Sequence, residues 1–255
     1  MNRPGIDLKD CRTAVLGSTS GIGRAVAFAL AEAGADVIVH GRSSRDAADE
    51  VATAVRRFGG RSAVLMADLA EREAGDRLVE AAWSLWGGLD AWLHIAGADT
   101  LTGSAAKLAF DAKLDLLWTV DVVATIRLCR AVGERMKDQG HGTILTMGWD
   151  QAETGMGGDS GELFAATKGA VMAFTRSLAL SLAPTVRVNA LAPGWIKTRW
   201  GEGASKTWHE RVLRETPMAR WGTPEDVARV ACFLVSPAAE FLTGQVIRVN
   251  GGAVR

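Results

Sequence analysis

The chain has 255 residues, 48% of them apolar and 23% charged, and its 29 Lys and Arg balance its 29 Asp and Glu to leave no net charge. That balance argues against a nucleic-acid or acidic-surface partner. No stretch approaches the roughly 18 uninterrupted apolar residues of a membrane span, and the N-terminal MNRPGIDLKDCR lacks the apolar run of a secretion signal, so a soluble cytoplasmic protein is expected.

Short β-rich runs alternate with longer Ala- and Leu-rich stretches along the whole length. Residues 13–16 predict a strand, 22–33 a helix and 37–40 a second strand, and further strands are expected at 63–66, 91–95, 143–147, 186–190 and 246–249. Seven or eight strands separated by helical crossovers imply a parallel sheet covered on both faces, because parallel neighbours need a long, right-handed return. No repeat, low-complexity tract or linker divides the chain, and a single domain over 1–255 is the expected organisation. A long helix over about 108–137 carries Leu114, Leu117, Val120, Ile126 and Leu128, more apolar surface than one sheet face needs. Two segments break the rhythm, about 148–162, rich in Gly and acids, and about 195–217, polar but with Trp195, Trp200 and Trp208. Both follow strand carboxyl ends, where open α/β sheets bind ligands, and are expected to be substrate-side loops. Cys11, Cys129 and Cys232 lie far apart without metal-ligand spacing, so no metal is expected and the thiols read as buried.

The chemistry concentrates after the first strand, in LGSTSGIGRAVAFALAEAGA. Gly17, Gly21 and Gly23 stand where a strand turns into a helix. A backbone without Cβ turns sharply there and approaches a pyrophosphate, toward which the helix N-terminus aims unpaired N–H groups. The second strand leads into VIVHGRSS. An acid at Gly41 would bind two ribose hydroxyls and repel a 2′-phosphate, whereas Arg42 and Ser43 offer a guanidinium and a hydroxyl to one. NADP(H) is therefore the expected cofactor.

The GxxxGxG turn resembles that of the short-chain dehydrogenase/reductase family, in particular its 3-oxoacyl-ACP-reductase-like members. Asp68 and Leu69 in MADLAE, Ala96 and Gly97 in AWLHIAGAD, FAATKGAV, VRVNALAPGWIKT and FLTGQVIRVNGG extend the likeness over residues 11–252. The resemblance implies a doubly wound Rossmann fold with a seven-stranded parallel sheet. It implies a homodimer or homotetramer and an oxidoreductase acting on carbonyl or alcohol groups. It assigns cofactor contacts to Gly17, Ser18, Ser20, Gly21, Ile22, Gly23, Arg42, Ser43, Asp68, Leu69, Ala96, Gly97, Lys168, Pro193, Gly194, Ile196 and Thr198.

Position by position, the family's catalytic groups are mostly replaced. The family uses a Tyr to protonate the substrate oxygen, a Lys four residues later, a Ser on the same oxygen and an Asn in the central helix. Here Lys168 is retained, but Phe164 stands at the Tyr, Trp149 at the Ser and Asp121 at the Asn. Proton transfer needs a titratable group and oxyanion stabilisation needs a donor, and neither a phenyl ring nor a bulky indole replaces them in kind. A shift of register would bring Thr146 or Ser160 near the Ser position. No register restores the phenol, because the chain contains nine Trp but no Tyr. Asp150, Glu153, Glu162 and His94 are the residues that could supply a proton instead, although each reads first as a solvated or packed side chain. Three functions stay open: a reductase with another donor, a non-catalytic dinucleotide-binding sensor or partner subunit, and a non-redox enzyme on the same fold.

Overall fold

In the computed structural model, which describes residues 6–253, seven parallel strands form one sheet in the order β3-β2-β1-β4-β5-β6-β7. The first five and last two residues of the expected domain lie outside the described part. The chain runs β1 (Arg12–Leu16), α1 (Gly21–Glu32), β2 (Asp36–Gly41), α2 (Arg45–Arg56), β3 (Ser62–Met66), α3 (Arg72–Trp86) and β4 (Ala91–His94). It continues with α4 (Phe110–Leu117), α5 (Ala124–Gln139), β5 (Gly142–Met147), α6 (Asp159–Leu182) and β6 (Val186–Pro193), then α7 (Arg199–Glu202), α8 (Lys206–Glu215), α9 (Pro224–Val235) and β7 (Val246–Val249).

The strands alternate with helices because apolar β-branched runs cannot be left facing water on either side. β2 is buried at every position, and the helices cover both faces of the sheet. Val26, Leu30, Val51, Val55, Val227 and Leu234, from α1, α2 and α9, fill one side. Leu78, Leu128, Val132, Met136, Leu178 and Leu182, from α3, α5 and α6, fill the other. In register, Ala14 of β1 faces Ile38 of β2 and Trp92 of β4. The chain leaves β1 outward through β2 and β3 and then returns to β4, so the order reverses between β1 and β4. At such a reversal the flanking loops part and leave a crevice at the strand carboxyl ends.

Three expectations are corrected. The long helix is not uniform: α4 and α5 are joined through a π-helical stretch, Trp118–Val123, that puts a wide turn in the middle. The segment 148–162 is a loop only in part, since it contains a short 3₁₀ turn at Asp150–Ala152 and α6 already begins at Asp159. The stretch 195–217 is largely helical, because Ser205 caps α8 by accepting the Trp208 N–H and the tryptophans pack inward against one another. No helix among the described residues is long and apolar enough to cross a membrane. Cys129 and Cys232 are buried, Cys11 is partly so, and all three are free thiols.

Candidate functional site

The crevice holds a cleft of about 600 Å³, within the range of roughly 300–1,000 Å³ usual for ligand pockets. Its floor is the turn between β1 and α1. Gly17 adopts φ +77°, and a Cβ there would lie 2.7 Å from Ala96 Cα, so the turn and the β4 exit pack backbone to backbone. A Cβ on Gly23 would overlap the Gly17 carbonyl oxygen. Ser20 precedes α1 without a side-chain capping bond, which leaves the first-turn N–H groups of Gly21, Ile22 and Gly23 to serve the cleft they line.

A histidine holds this turn in place. His40 Nδ1 accepts the Gly17 N–H at 3.1 Å, so the ring proton sits on Nε2, which donates to the Ala67 carbonyl at 3.1 Å. Burial pushes His40 down to about 4, and the ring works as a neutral brace between β1, β2 and β3. Ser18 serves the same brace. It is wholly buried and accepts the His40 N–H at 3.0 Å, so its hydroxyl faces the fold and not the cleft.

At the β2 end the cleft is lined by Gly41, Arg42, Ser43, Asp68 and Leu69. Arg42 is exposed and has no hydrogen-bond or ion-pair partner among the described residues. Asp68 is tied into its own turn by the Ala70 N–H, at 2.9 Å.

At the opposite end lie Ala96, Gly97, Asp121, Phe164 and Lys168. Phe164 and Lys168 are four residues apart on α6, one turn on the same face. Lys168 Nζ is 2.8 Å from Asp121 Oδ2 in a buried ion pair, and Asp121 Oδ1 accepts the Ala98 N–H at 2.7 Å. The π-helical stretch presents Asp121, and Thr125 donates to its backbone carbonyl at 2.6 Å. Trp149 adjoins Phe164. Its ring centroid is 6.3 Å from that of Phe164, edge on, and it does not itself line the cleft.

Several expected residues fall outside the lining. Pro193 ends β6, and Ile196 pairs with Gly222 in an isolated bridge. Gly194 packs against Asp150 and Asn250, close enough that a Cβ would lie 2.9 Å from Asp150 Oδ2. The alternative donors are also placed away from it. His94 is fully buried with neither ring nitrogen hydrogen-bonded among the described residues, and burial pushes it down to about 3, so it stays a neutral imidazole. Glu153 is clamped by Arg176, at 2.7 Å, and by Arg248, which together hold its carboxylate below the usual range. Glu162 is exposed outside the lining, and Ser160 lies in the first turn of α6. Thr146 is buried against Thr175, at 2.7 Å. Asp150 is buried, takes the Asn250 Nδ2 donor at 3.1 Å, and is pushed by burial up to about 6, but it too is outside the lining.

The roof is formed by Thr198, Arg199 and Trp200. Trp200 stacks on Trp195 with centroids 6.1 Å apart, and Trp208 packs against both, at 5.3 and 5.5 Å. Trp221 closes the group at 6.1 Å from Trp200, and the Arg211 guanidinium lies over Trp208 at 4.7 Å. The sequence reading missed His40, Thr19, Asp99, Leu101 and Arg199 as lining residues, whereas Trp200 belongs to the tryptophan-bearing segment expected on the substrate side. Thr19 lay within the glycine motif, and the strand-end position of His40 was a usable signal. Arg199 and Trp200 reach the cleft only because α7 folds back over it.

Comparison with known proteins follows the same geometry. Residues 17–254 match the model of a family described as enoyl-(acyl carrier protein) reductase. The 3-oxoacyl-[acyl-carrier-protein] reductase FabG of Aquifex aeolicus is 34% identical over 242 residues, 93% of this chain and 95% of that protein. The short-chain reductase protein NovJ of Streptomyces niveus is 35% identical over 250 residues, 93% of this chain and 92% of its own. Among solved structures, a short-chain dehydrogenase from Burkholderia cenocepacia in complex with NADP superposes with a TM-score of 0.86 at 30% identity, covering 96% of this chain and 98% of that one.

Proposed function

Because the chain belongs to the short-chain dehydrogenase/reductase family, we propose that it binds NADP(H) in the cleft between β1 and β4 and is an oxidoreductase-family protein without the usual proton-transfer pair. The cofactor reading is supported by the fit of the residues present. The glycine turn leaves room where a Cβ would intrude, the α1 N-terminus offers free N–H groups, and Arg42 is an unpaired cation beside Ser43. Arg42 and Ser43 would hold a 2′-phosphate, Ser20 to Gly23 the pyrophosphate, and Lys168 the nicotinamide ribose. When bound, the nicotinamide supplies or accepts a hydride.

The observation that carries the rest is the Phe164 ring beside Lys168 on the cleft wall. A reduction also needs a proton at the substrate oxygen, and a phenyl ring has none. Trp149, which meets Phe164 edge on, supports the reading that an indole replaces the hydroxyl donor the family resemblance implies. Loss of a positioned acid alone costs on the order of 10²- to 10⁴-fold in rate, and loss of an oxyanion donor a comparable factor. The buried Lys168–Asp121 pair favours the non-catalytic sensor or partner-subunit reading as the second possibility, since it engages the cation at the wall with a carboxylate.

Titration by tryptophan fluorescence quenching tests the cofactor, and cofactor absorbance with a carbonyl library tests the chemistry. NADPH should bind more tightly than NADH, Arg42→Ala should narrow the gap, and ketone reduction should stay near background. Equal or tighter NADH binding, or turnover at roughly 1 s⁻¹ or faster, would overturn the respective half. Tight binding without turnover supports the sensor or subunit reading, and substrate conversion without cofactor oxidation supports a non-redox enzyme.

A further inference from the structure

The inner end of the cleft carries an acid whose charge bears on the redox state of what binds there. Lys168 and Asp121 are 2.8 Å apart, with side chains 10% and 1% exposed, and the second Asp121 oxygen is taken by the Ala98 N–H. Their neighbours on the lining, Phe164, Val120 and Met147, are uncharged, and His94 beneath is held neutral by burial. The wall therefore nets no charge, where a neutral amide at position 121 would leave it at +1.

This inference rests on the NADP(H) reading above. If Arg42 and Ser43 take the adenosine phosphate and the α1 N-terminus the pyrophosphate, the nicotinamide falls at the Lys168–Asp121 end. The oxidised ring carries a positive charge and the reduced ring is neutral. The phosphates and ribose are common to both forms, so Arg42, Asp68 and the α1 N-terminus do not discriminate between them. Asp99 and Arg199 on the lining are of opposite sign and oppose one another. We propose that Asp121 tilts the cleft toward the oxidised cofactor, because its buried carboxylate cancels the Lys168 charge that would otherwise repel the pyridinium.

A unit charge several ångströms away, at an effective dielectric of about 20 and with partial solvent screening, changes an affinity by on the order of tenfold. Linkage then makes the bound couple a correspondingly weaker oxidant than it would be beside an uncompensated Lys168.

Isothermal titration calorimetry with NADP⁺ and with NADPH, on wild type and Asp121→Asn at one pH and ionic strength, tests this. The wild type should bind NADP⁺ and NADPH with affinities within about threefold of one another. Asp121→Asn, which still offers an oxygen to the Ala98 N–H, should shift that ratio toward NADPH by on the order of tenfold. A wild-type preference for NADPH of about tenfold or more, as an uncompensated charge would give, or a ratio that the substitution changes less than about twofold, would overturn the proposal while leaving cofactor binding intact. Binding of neither form would instead remove the cofactor reading, and this inference with it. Should the variant melt below the assay temperature, the wild-type ratio decides alone.

Discussion

Asp150 offers a stability test whose size follows from its surroundings. It follows β5 with its carboxyl buried, one oxygen on Asn250 Nδ2 at 3.1 Å and the other without a partner among the described residues. Burial raises it from 3.8 to about 6. An acid whose folded-state pKa lies above its unfolded one binds its proton more tightly when folded. The stability it contributes is therefore present below about pH 4 and lost as pH rises through about 6. The separation between 3.8 and about 6 corresponds to about 3 kcal/mol of penalty once the group is ionised in both states. Asp150→Asn keeps the shape and removes the charge. At pH 8 it should raise stability by about 2–3 kcal/mol, or about 5 °C or more in Tm for a chain of this size, and at pH 4 it should do almost nothing. Thermal melts by circular dichroism between pH 4 and 8 measure this. A variant equally displaced at every pH, or less stable at pH 8, would refute a buried, strained carboxylate at this position.

The wall beside Lys168 gives a second test. Phe164→Tyr alone should recover little ketone reduction, because no oxyanion donor accompanies it, whereas Phe164→Tyr with Trp149→Ser should exceed the product of the single effects, as groups acting as a unit do. Steady-state rates of NADPH oxidation with one ketone across the four proteins decide it, and strict additivity would count against the reading. The α4 region exposes Leu108, Phe110, Trp118 and Val123 at 39–45%, so a homodimer or homotetramer with isologous contacts is expected. Light scattering that gave 27 kDa at micromolar concentration would refute it.

The sheet was legible because each strand is a short apolar run with a helix-length gap after it, and the expected strand bounds differ from the observed ones by at most three residues. β6 is the one that extends furthest, to Pro193, because its end lies under the Gly194 turn where polarity gives no sign of pairing. The glycine turn was legible for a local reason, since strand, turn and helix adjoin in sequence. Ser18 shares that motif, yet its hydroxyl is claimed by His40 from the neighbouring strand, a contact 22 residues away that no local pattern signals. The Lys168–Asp121 pair joins two residues 47 positions apart. Both were singled out in the sequence, but their contact depends on the π-helical turn that no periodicity signals. Asp150 and His94 looked alike as candidate acids. Only packing separates a carboxyl held near 6 outside the cleft from an imidazole sealed beneath it.

The roof of the cleft is a mechanical unit. Trp195 leaves β6, Trp200 belongs to α7, Trp208 to α8, and Trp221 precedes α9, yet the four indoles form one continuous contact set. No hydrogen bond to the Trp195 or Trp221 ring nitrogen holds it among the described residues, so ring against ring is what fixes its shape. Trp200, which faces the cleft, cannot swing outward without opening gaps beside its three neighbours. Gly201, whose Cβ would lie 2.8 Å from the Trp221 ring, leaves no slack behind it. Whatever enters past Trp200 therefore either fits the cleft with the roof as it stands or shifts α7 and α8 together as a single plate.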